Sequence, residues 1–237
     1  ILGNNAVLGQ MPDWNPVEMI GLHPSPLSFS LYKSLITDKT WSEARHLMGY
    51  YFPRNKSLMH SIAGKPYIDT RLSFNSFLPK NIKKSIAKKV VNFWLFKLKN
   101  NPELYDKIEF DIAITCFSFD EENKYKNNFP TNLTKKEFSY FFNLHKSLTA
   151  QAISKKNRAS ISNMMKIVKE LNFLNSKNKD KDINYKSIQN LLNICRKKGI
   201  FPFAICARHA FIAKTIMNSL VSKNIINKKE IEKFLKS

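Results

Sequence analysis

The run GKPYIDTRLSFNSFLP, Gly64–Pro79, decides the fold class. From Tyr67 onward, Tyr67, Asp69, Arg71, Ser73 and Asn75 alternate with Ile68, Thr70, Leu72, Phe74 and Ser76. That period of two predicts a strand near 66–75 with one polar face. KIEFDIAITCFSF, Lys107–Phe119, alternates likewise: Ile108, Phe110, Ile112 and Ile114 face away from Glu109, Asp111, Ala113 and Thr115. It predicts a second strand near 107–119, paired with the first. The expected fold is therefore α+β and predominantly α-helical, with one small antiparallel sheet.

Helical periodicity surrounds these two segments. NIKKSIAKKVVNFWLFKLKNN places Ile82, Ile86, Val90 and Leu98 on one side. After Asp120 the pattern is helical to the end. Thr134 and Glu137 form a capping box ahead of the first of these helices. RASISNMMKIVKELNFLNS and NYKSIQNLLNICRKKG follow, separated by a solvated loop at SKNKDKD, and the second is expected to stop at Gly199. FPFAICARHAFIAKTIMNSLVSKN is the most apolar helix, and NKKEIEKFLKS is the last. Upstream, Leu27, Leu31 and Leu35 with Phe29, Tyr32 and Ile36 predict a short amphipathic helix. A further helix enters at Asp38 or Thr40 and stops near Gly49.

The front end is different in kind. Prolines 12, 16, 24 and 26 forbid a long helix between Met11 and Pro26 and fix an extended, turned path. Only NPVEMIG can make a turn of helix, with Asn15 as N-cap, Pro16 at the first position, Glu18 in the first turn and Gly21 at the end. The chain divides into a Pro-rich entry segment (1–26), a mixed α/β half (27–120) and a helical half (121–237). Its start lacks an initiating Met and the features of a signal peptide, so we expect one domain cut from a larger multidomain protein.

The formal charge of +21 is unevenly spread. Residues 1–80 carry 8 Lys+Arg against 5 Asp+Glu, net +3, and residues 81–237 carry 31 against 13, net +18. The cations are 33 Lys and only 6 Arg, among 25 Asn. These residues share A/T-rich codons, and Arg is the better reader of phosphate and guanine. A solvated basic face is the reading preferred over a nucleic-acid partner. A nucleic-acid-binding module is the rival reading, and a structural spacer between catalytic domains is the other. No apolar run approaches the roughly 18 residues of a membrane span, so no membrane partner and a cytoplasmic location are expected.

Several chemistries lack their motifs. The six glycines form neither GxGxxG nor GxxxxGK[ST], so the common phosphate-wrapping loops are missing. The five histidines show no HExxH or HxH spacing, and no metal site is expected. GxSxG is absent. Cys116, Cys195 and Cys206 are read as reduced thiols, with a Cys195–Cys206 disulfide conceivable but unsupported.

Two places invite a site. A strand carrying Asp69 and Arg71 two residues apart projects both to one side, about 7 Å apart. With Asn75 they form either a pocket wall for an anionic or polyhydroxylated ligand or an ion pair facing solvent or core. Arg208 and His209 interrupt an otherwise apolar helix, which is costly unless they are paired or face a ligand. Asp69, Asp111 and Glu18 are the acids considered as partners. Asp13, Asn15 and Glu18 are read first as turn and cap residues.

MPDWNPVEMIG, HPSPLSFSLYKSLITDKTW, AGKPYIDTRLSFNSFLP and GIFPFAICARHAFIAKTIMNSLV together resemble the central region of phosphoenolpyruvate-synthase-like proteins, the PEP-utilising group that includes rifampin phosphotransferase. The resemblance runs over about residues 10–222 and is most specific in the first 80. It implies a machine in which an ATP-grasp-like domain phosphorylates a histidine on a swivelling domain, which carries the phosphoryl group to a small-molecule acceptor. The T-x-H-A type segment of the phosphohistidine and an ATP-grasp core are both missing from this chain. The resemblance therefore implies the acceptor-side domain, inactive alone, binding no cofactor itself, with ATP and Mg serving the full-length protein. On that reading Asp69 and Arg71 are the expected catalytic residues, and Asp13, Asn15, Glu18, Asn75 and Arg208 the expected substrate-binding residues. Asp69 would be hydrogen-bond acceptor or base, and Arg71 and Arg208 would steady anionic groups.

Overall fold

The computed structural model describes residues 1–54, 56–120, 129–177 and 184–236. Its sheet is antiparallel and three-stranded, with β1 (Leu8–Gly9) and β2 (Met59–Ile62) on either side of β3 (Lys65–Asp69). Ile68 pairs with Gly9 on one side and Met59 on the other. The β2–β3 turn is Ala63-Gly64, with φ of 50° and 74°. A two-residue turn of this hand demands positive φ at both positions, and only Gly meets that freely. Ala63→Asn is therefore expected to stabilise the fold by about 1 kcal/mol, read as a higher urea midpoint at unchanged m-value.

Both predicted strands need correction, although the fold class stands. The first ends at Asp69, where the chain turns into helix α4 (Thr70–Asn75). The Asp69 carboxylate accepts from the backbone N–H groups of Arg71 (2.9 Å) and Leu72 (3.2 Å), an N-cap that starts the helix. The second predicted strand is absent: Ile108–Ile112 is a π-helical turn, and residues 113–119 join no sheet. The partners of β3 come instead from Leu8–Gly9 and Met59–Ile62.

The helices follow the sequence pattern more closely. In the front half are α1 (Pro16–Ile20), α2 (Pro26–Tyr32), which runs into a π turn at Lys33–Thr37, and α3 (Thr40–Leu47). After α4 comes α5 (Lys84–Asn100). The back half has α6 (Lys135–Ile153), α7 (Ile161–Lys177), α8 (Tyr185–Ile194), α9 (Phe201–Ser222) and α10 (Lys228–Lys236). The Thr134–Glu137 capping box forms as expected. Gly199 does not stop its helix. It lies in a π turn, Cys195–Ile200, that joins α8 to α9, and it is not among the positive-φ glycines. Most of the expected SKNKDKD loop, 178–182, lies outside the described residues.

Because of that junction, Tyr185–Ser222 is one 38-residue helix, long and apolar enough by length and composition to cross a membrane, with 33% of its most apolar window buried. No such span was expected from the sequence, where no uninterrupted apolar run approaches roughly 18 residues. In the fold, α9 packs on α3 and α7, and its Ile205 and Ile212 are buried.

Among the described residues, three apolar cores tie the parts together. Trp94 and Val90 of α5 pack with Phe74, Ile112 and Phe141. Met48 and Tyr50 pack with Leu148 of α6 and Ile205 of α9. Tyr32, Trp41, Leu58 and Ile68 form the third core, under the Pro-rich front. The first two cross the expected boundary at residue 120, so the two halves share their interiors. Cys116 is buried, and Cys195 and Cys206 are half-buried free thiols.

Candidate functional site

The Asp-Trp-Asn-Pro turn sets the site in place. Asp13 and Asn15 both hold positive φ, 61° and 43°, and Asn15 N–H donates to Pro12 O at 3.2 Å. Such backbone is costly for non-glycine residues and persists only where its surroundings hold it. Prolines on both sides do part of this. The rest comes from the Tyr32 hydroxyl, which donates to Trp14 O, and from Arg45 of α3, which grips the Asp13 carboxylate with both terminal nitrogens. Ser73 Oγ donates to the same carboxylate at 2.6 Å.

Arg45 begins a buried chain of charge. It also donates to Ser76 Oγ at 2.6 Å and to Glu109 Oε1 at 3.4 Å. Glu109 Oε2 in turn accepts from Arg208 Nη2 at 2.6 Å. Side-chain exposure is 8% for Arg45, 2% for Asp13, 9% for Glu109 and 3% for Arg208. The Phe77 ring lies near both guanidinium carbons, 4.5 Å from that of Arg45 and 5.1 Å from that of Arg208. Two carboxylates and two guanidiniums make the quartet neutral, as such deep burial requires. Burial pushes the Glu109 carboxyl up from its ordinary range, while Arg208 and Arg45 pull it back. The Tyr32 hydroxyl is likewise held up by burial, with the Asp13 charge adding to it.

Beside this quartet lies a cavity of about 310 Å³ walled by Trp14, Tyr32, Trp41, Phe203 and Phe211. Three buried N–H donors on its lining residues have no hydrogen-bond partner among the described residues: Trp14 Nε1, Trp41 Nε1 and Arg208 Nη1. A buried donor left unmade costs about 1–3 kcal/mol, so these three make the packing around the quartet locally unfavourable.

The residues expected from sequence divide cleanly. Asp13, Asn15, Glu18 and Arg208 line this cavity, although Asn15 also caps α1 and Asp13 is engaged by Arg45 and Ser73. Asp69, Arg71 and Asn75 do not. The turn into α4 takes them off a common strand face. Asp69 becomes a helix cap with Arg71 3.8 Å away, and Asn75 clamps the N-terminal segment, accepting from Leu2 N (2.9 Å) and donating to Leu2 O (2.7 Å). None of the three acids weighed as partner for Arg208 holds it; Glu109 does. His209 sits within hydrogen-bond distance of the Ile205 and Ala152 carbonyls and is structural.

Sequence reasoning missed Arg45, Glu109, Trp14, Trp41 and Tyr32. A signal for Arg45 was present: it stands one turn from Trp41 and beside Ala44 on the apolar side of α3, where an unpaired cation is untenable. No protein-family model, no curated protein and no solved structure matches this chain, so the charged quartet and its aromatic cavity are what define the site.

Proposed function

We propose that this chain is the acceptor-side part of a phosphotransferase of the PEP-utilising kind, and that the aromatic cavity holds the acceptor. The observation that carries the reading is the buried Glu109 carboxylate, clamped between Arg45 and Arg208 at the cavity wall. Phosphoryl transfer depends mainly on positioning and electrostatics, and a base held rigidly beside an aromatic pocket supplies both. Glu109 takes the role first expected of Asp69. It accepts the acceptor hydroxyl's proton as the new P–O bond forms and the P–N bond of a phosphohistidine breaks; the proton then passes to the departing imidazole. Burial, by raising its proton affinity, suits it to the task. Arg208 orients the acceptor.

This reading assigns ATP and magnesium to other parts of the protein. Among the described residues no group of three His, Cys, Asp or Glu side chains could hold a metal ion, and the chain has no Gly-rich phosphate loop. The ATP-grasp-like and phosphohistidine-bearing partners would lie in other segments of the same protein.

The test is transfer of label by the complete protein from ATP carrying ³²P at the β and, in parallel, at the γ phosphorus. Glu109→Gln should slow arrival of label on the acceptor by about 10²-fold, while labelled phosphohistidine still forms. Transfer at the wild-type rate would remove Glu109 from the chemistry. Failure of the wild type to form phosphohistidine would overturn the reading as a whole.

A further inference from the structure

Arg45 and Arg208 both reach Glu109, and their like charges repel each other. Arg45 is also held by Asp13. Among the described residues Arg208 has no acid partner but Glu109, so a single ion pair leaves its bearing poorly fixed. Aromatic rings supply the rest. The centroids of Phe77, Phe211 and Tyr50 lie 5.1, 5.2 and 5.9 Å from its guanidinium carbon. For Arg45 the rings are Phe77 at 4.5 Å and Trp41 at 5.7 Å. Phe77 is common to both cations and the nearest ring to each.

An aromatic face is electron-rich and attracts a cation, more strongly where water is excluded. Phe77 is fully buried, and both guanidiniums are nearly so. The backbone fixes where the ring stands. Just past α4, Phe77 N–H donates to Phe74 O and Leu78 N–H donates to Asn75 O, each at 3.2 Å, while the adjacent Ser76 Oγ accepts from Arg45. The ring also belongs to the core that α5 builds with Phe74 and Trp94, so it ties the charged quartet to the interior.

We propose that Phe77 is a positioning residue whose ring holds the guanidiniums of Arg45 and Arg208 on Glu109 and thereby sets how readily that carboxylate takes a proton. The proposal rests on Glu109 as the base and names what maintains it. Both guanidiniums lower the proton affinity that burial raises. Weakening their hold should let it climb.

The test places mono-, di- and trifluorinated phenylalanine at position 77 of the full chain. Fluorine drains the ring face with little change of shape, so the attraction for cations falls stepwise while packing is kept. The ¹³C titration of the Glu109 carboxyl should move to higher pH with each added fluorine, at nearly constant melting temperature. Phe77→Leu should move it in the same direction. In the complete protein the acid limb of label transfer should follow, because the base is then protonated over more of the acid range. Phe77→Leu should slow transfer at neutral pH by about 10-fold. An unmoved titration along the fluorinated series would overturn the proposal. So would a shift in Phe77→Leu alone, since the ring would then act only by filling space. If the series moves the titration but label never leaves the phosphohistidine of the wild type, the phosphotransfer reading falls and the role of Phe77 stands. If label reaches the acceptor while the titration stays put, the reading stands and Phe77 is packing.

Discussion

Arg208→Ala is expected to cost about 3–5 kcal/mol of folding stability, because it strands Glu109 as a buried charge without its closest partner. Arg45 alone, at 3.4 Å, cannot replace a 2.6 Å contact. The loss should depend on pH, and its sign follows from the direction of the Glu109 shift. Burial already raises the folded-state pKa, and Arg208 is the strongest influence lowering it. Removing Arg208 raises it further above the unfolded value of about 4.3. A carboxyl with a raised folded-state pKa binds its proton more tightly in the native state. The penalty should therefore be smallest below the unfolded pKa and grow as pH rises through the folded one. Urea titrations of wild type and variant at several pH values measure this. A penalty below 1 kcal/mol at neutral pH would mean that the quartet does not hold the fold. Glu109→Leu in the Arg208→Met background should recover much of the loss, since apolar replacements satisfy a buried site that a lone charge does not.

His145→Leu is expected to act in the opposite direction and to remove an acid sensitivity. The imidazole is fully buried on α6, its ring centroid 4.5 Å from that of Phe141, and neither nitrogen has a hydrogen-bond partner among the described residues. Burial lowers its pKa to about 3. Between the unfolded value of about 6.5 and that folded value, the unfolded chain binds a proton that the native state refuses. Stability contributed by this residue is complete above the unfolded pKa. It falls by about 1.4 kcal/mol for each pH unit below it, or about 3 kcal/mol by pH 4.5. The leucine variant should lose this slope and, relieved of two unsatisfied nitrogens, be no less stable at pH 7. Equal acid sensitivity in the two proteins would show that His145 finds a proton acceptor in the native state.

Local signals proved the most legible in the sequence. Asn15 and Pro16 at the start of α1, and Thr134 with Glu137 at the start of α6, mark helix ends through hydrogen bonds within a few residues, and both form. The two strand errors have a common physical origin. Alternation reports a strand only when one face is wet, whereas residues 68–79 are buried except for Arg71. With both sides packed, Asp69-Thr70 as a cap and first turn was the better guide. In Ile108–Ile112 the buried pair is Ile108 and Ile112, four apart, a spacing that fits a helical turn as well as a strand. Half of the candidate site was readable for a related reason. Asp13, Asn15 and Glu18 were drawn to attention by proline, and Arg208 by standing in apolar surroundings. Glu109 was hidden in a pattern that assigned it to the wrong element, and its two guanidinium partners lie 64 and 99 residues away.

The π turn at Cys195–Ile200 sets the rotational phase of the cavity wall. Each residue advances an α-helix by about 100°, and a π turn accommodates one residue more than regular winding allows. Without that surplus residue, everything beyond Ile200 would be clocked round by about 100° relative to α8. Arg208 would swing off the bearing that meets Glu109, and Phe203 and Phe211 would leave the pocket. A single-residue deletion there would thus dismantle the pocket while touching none of its charged groups.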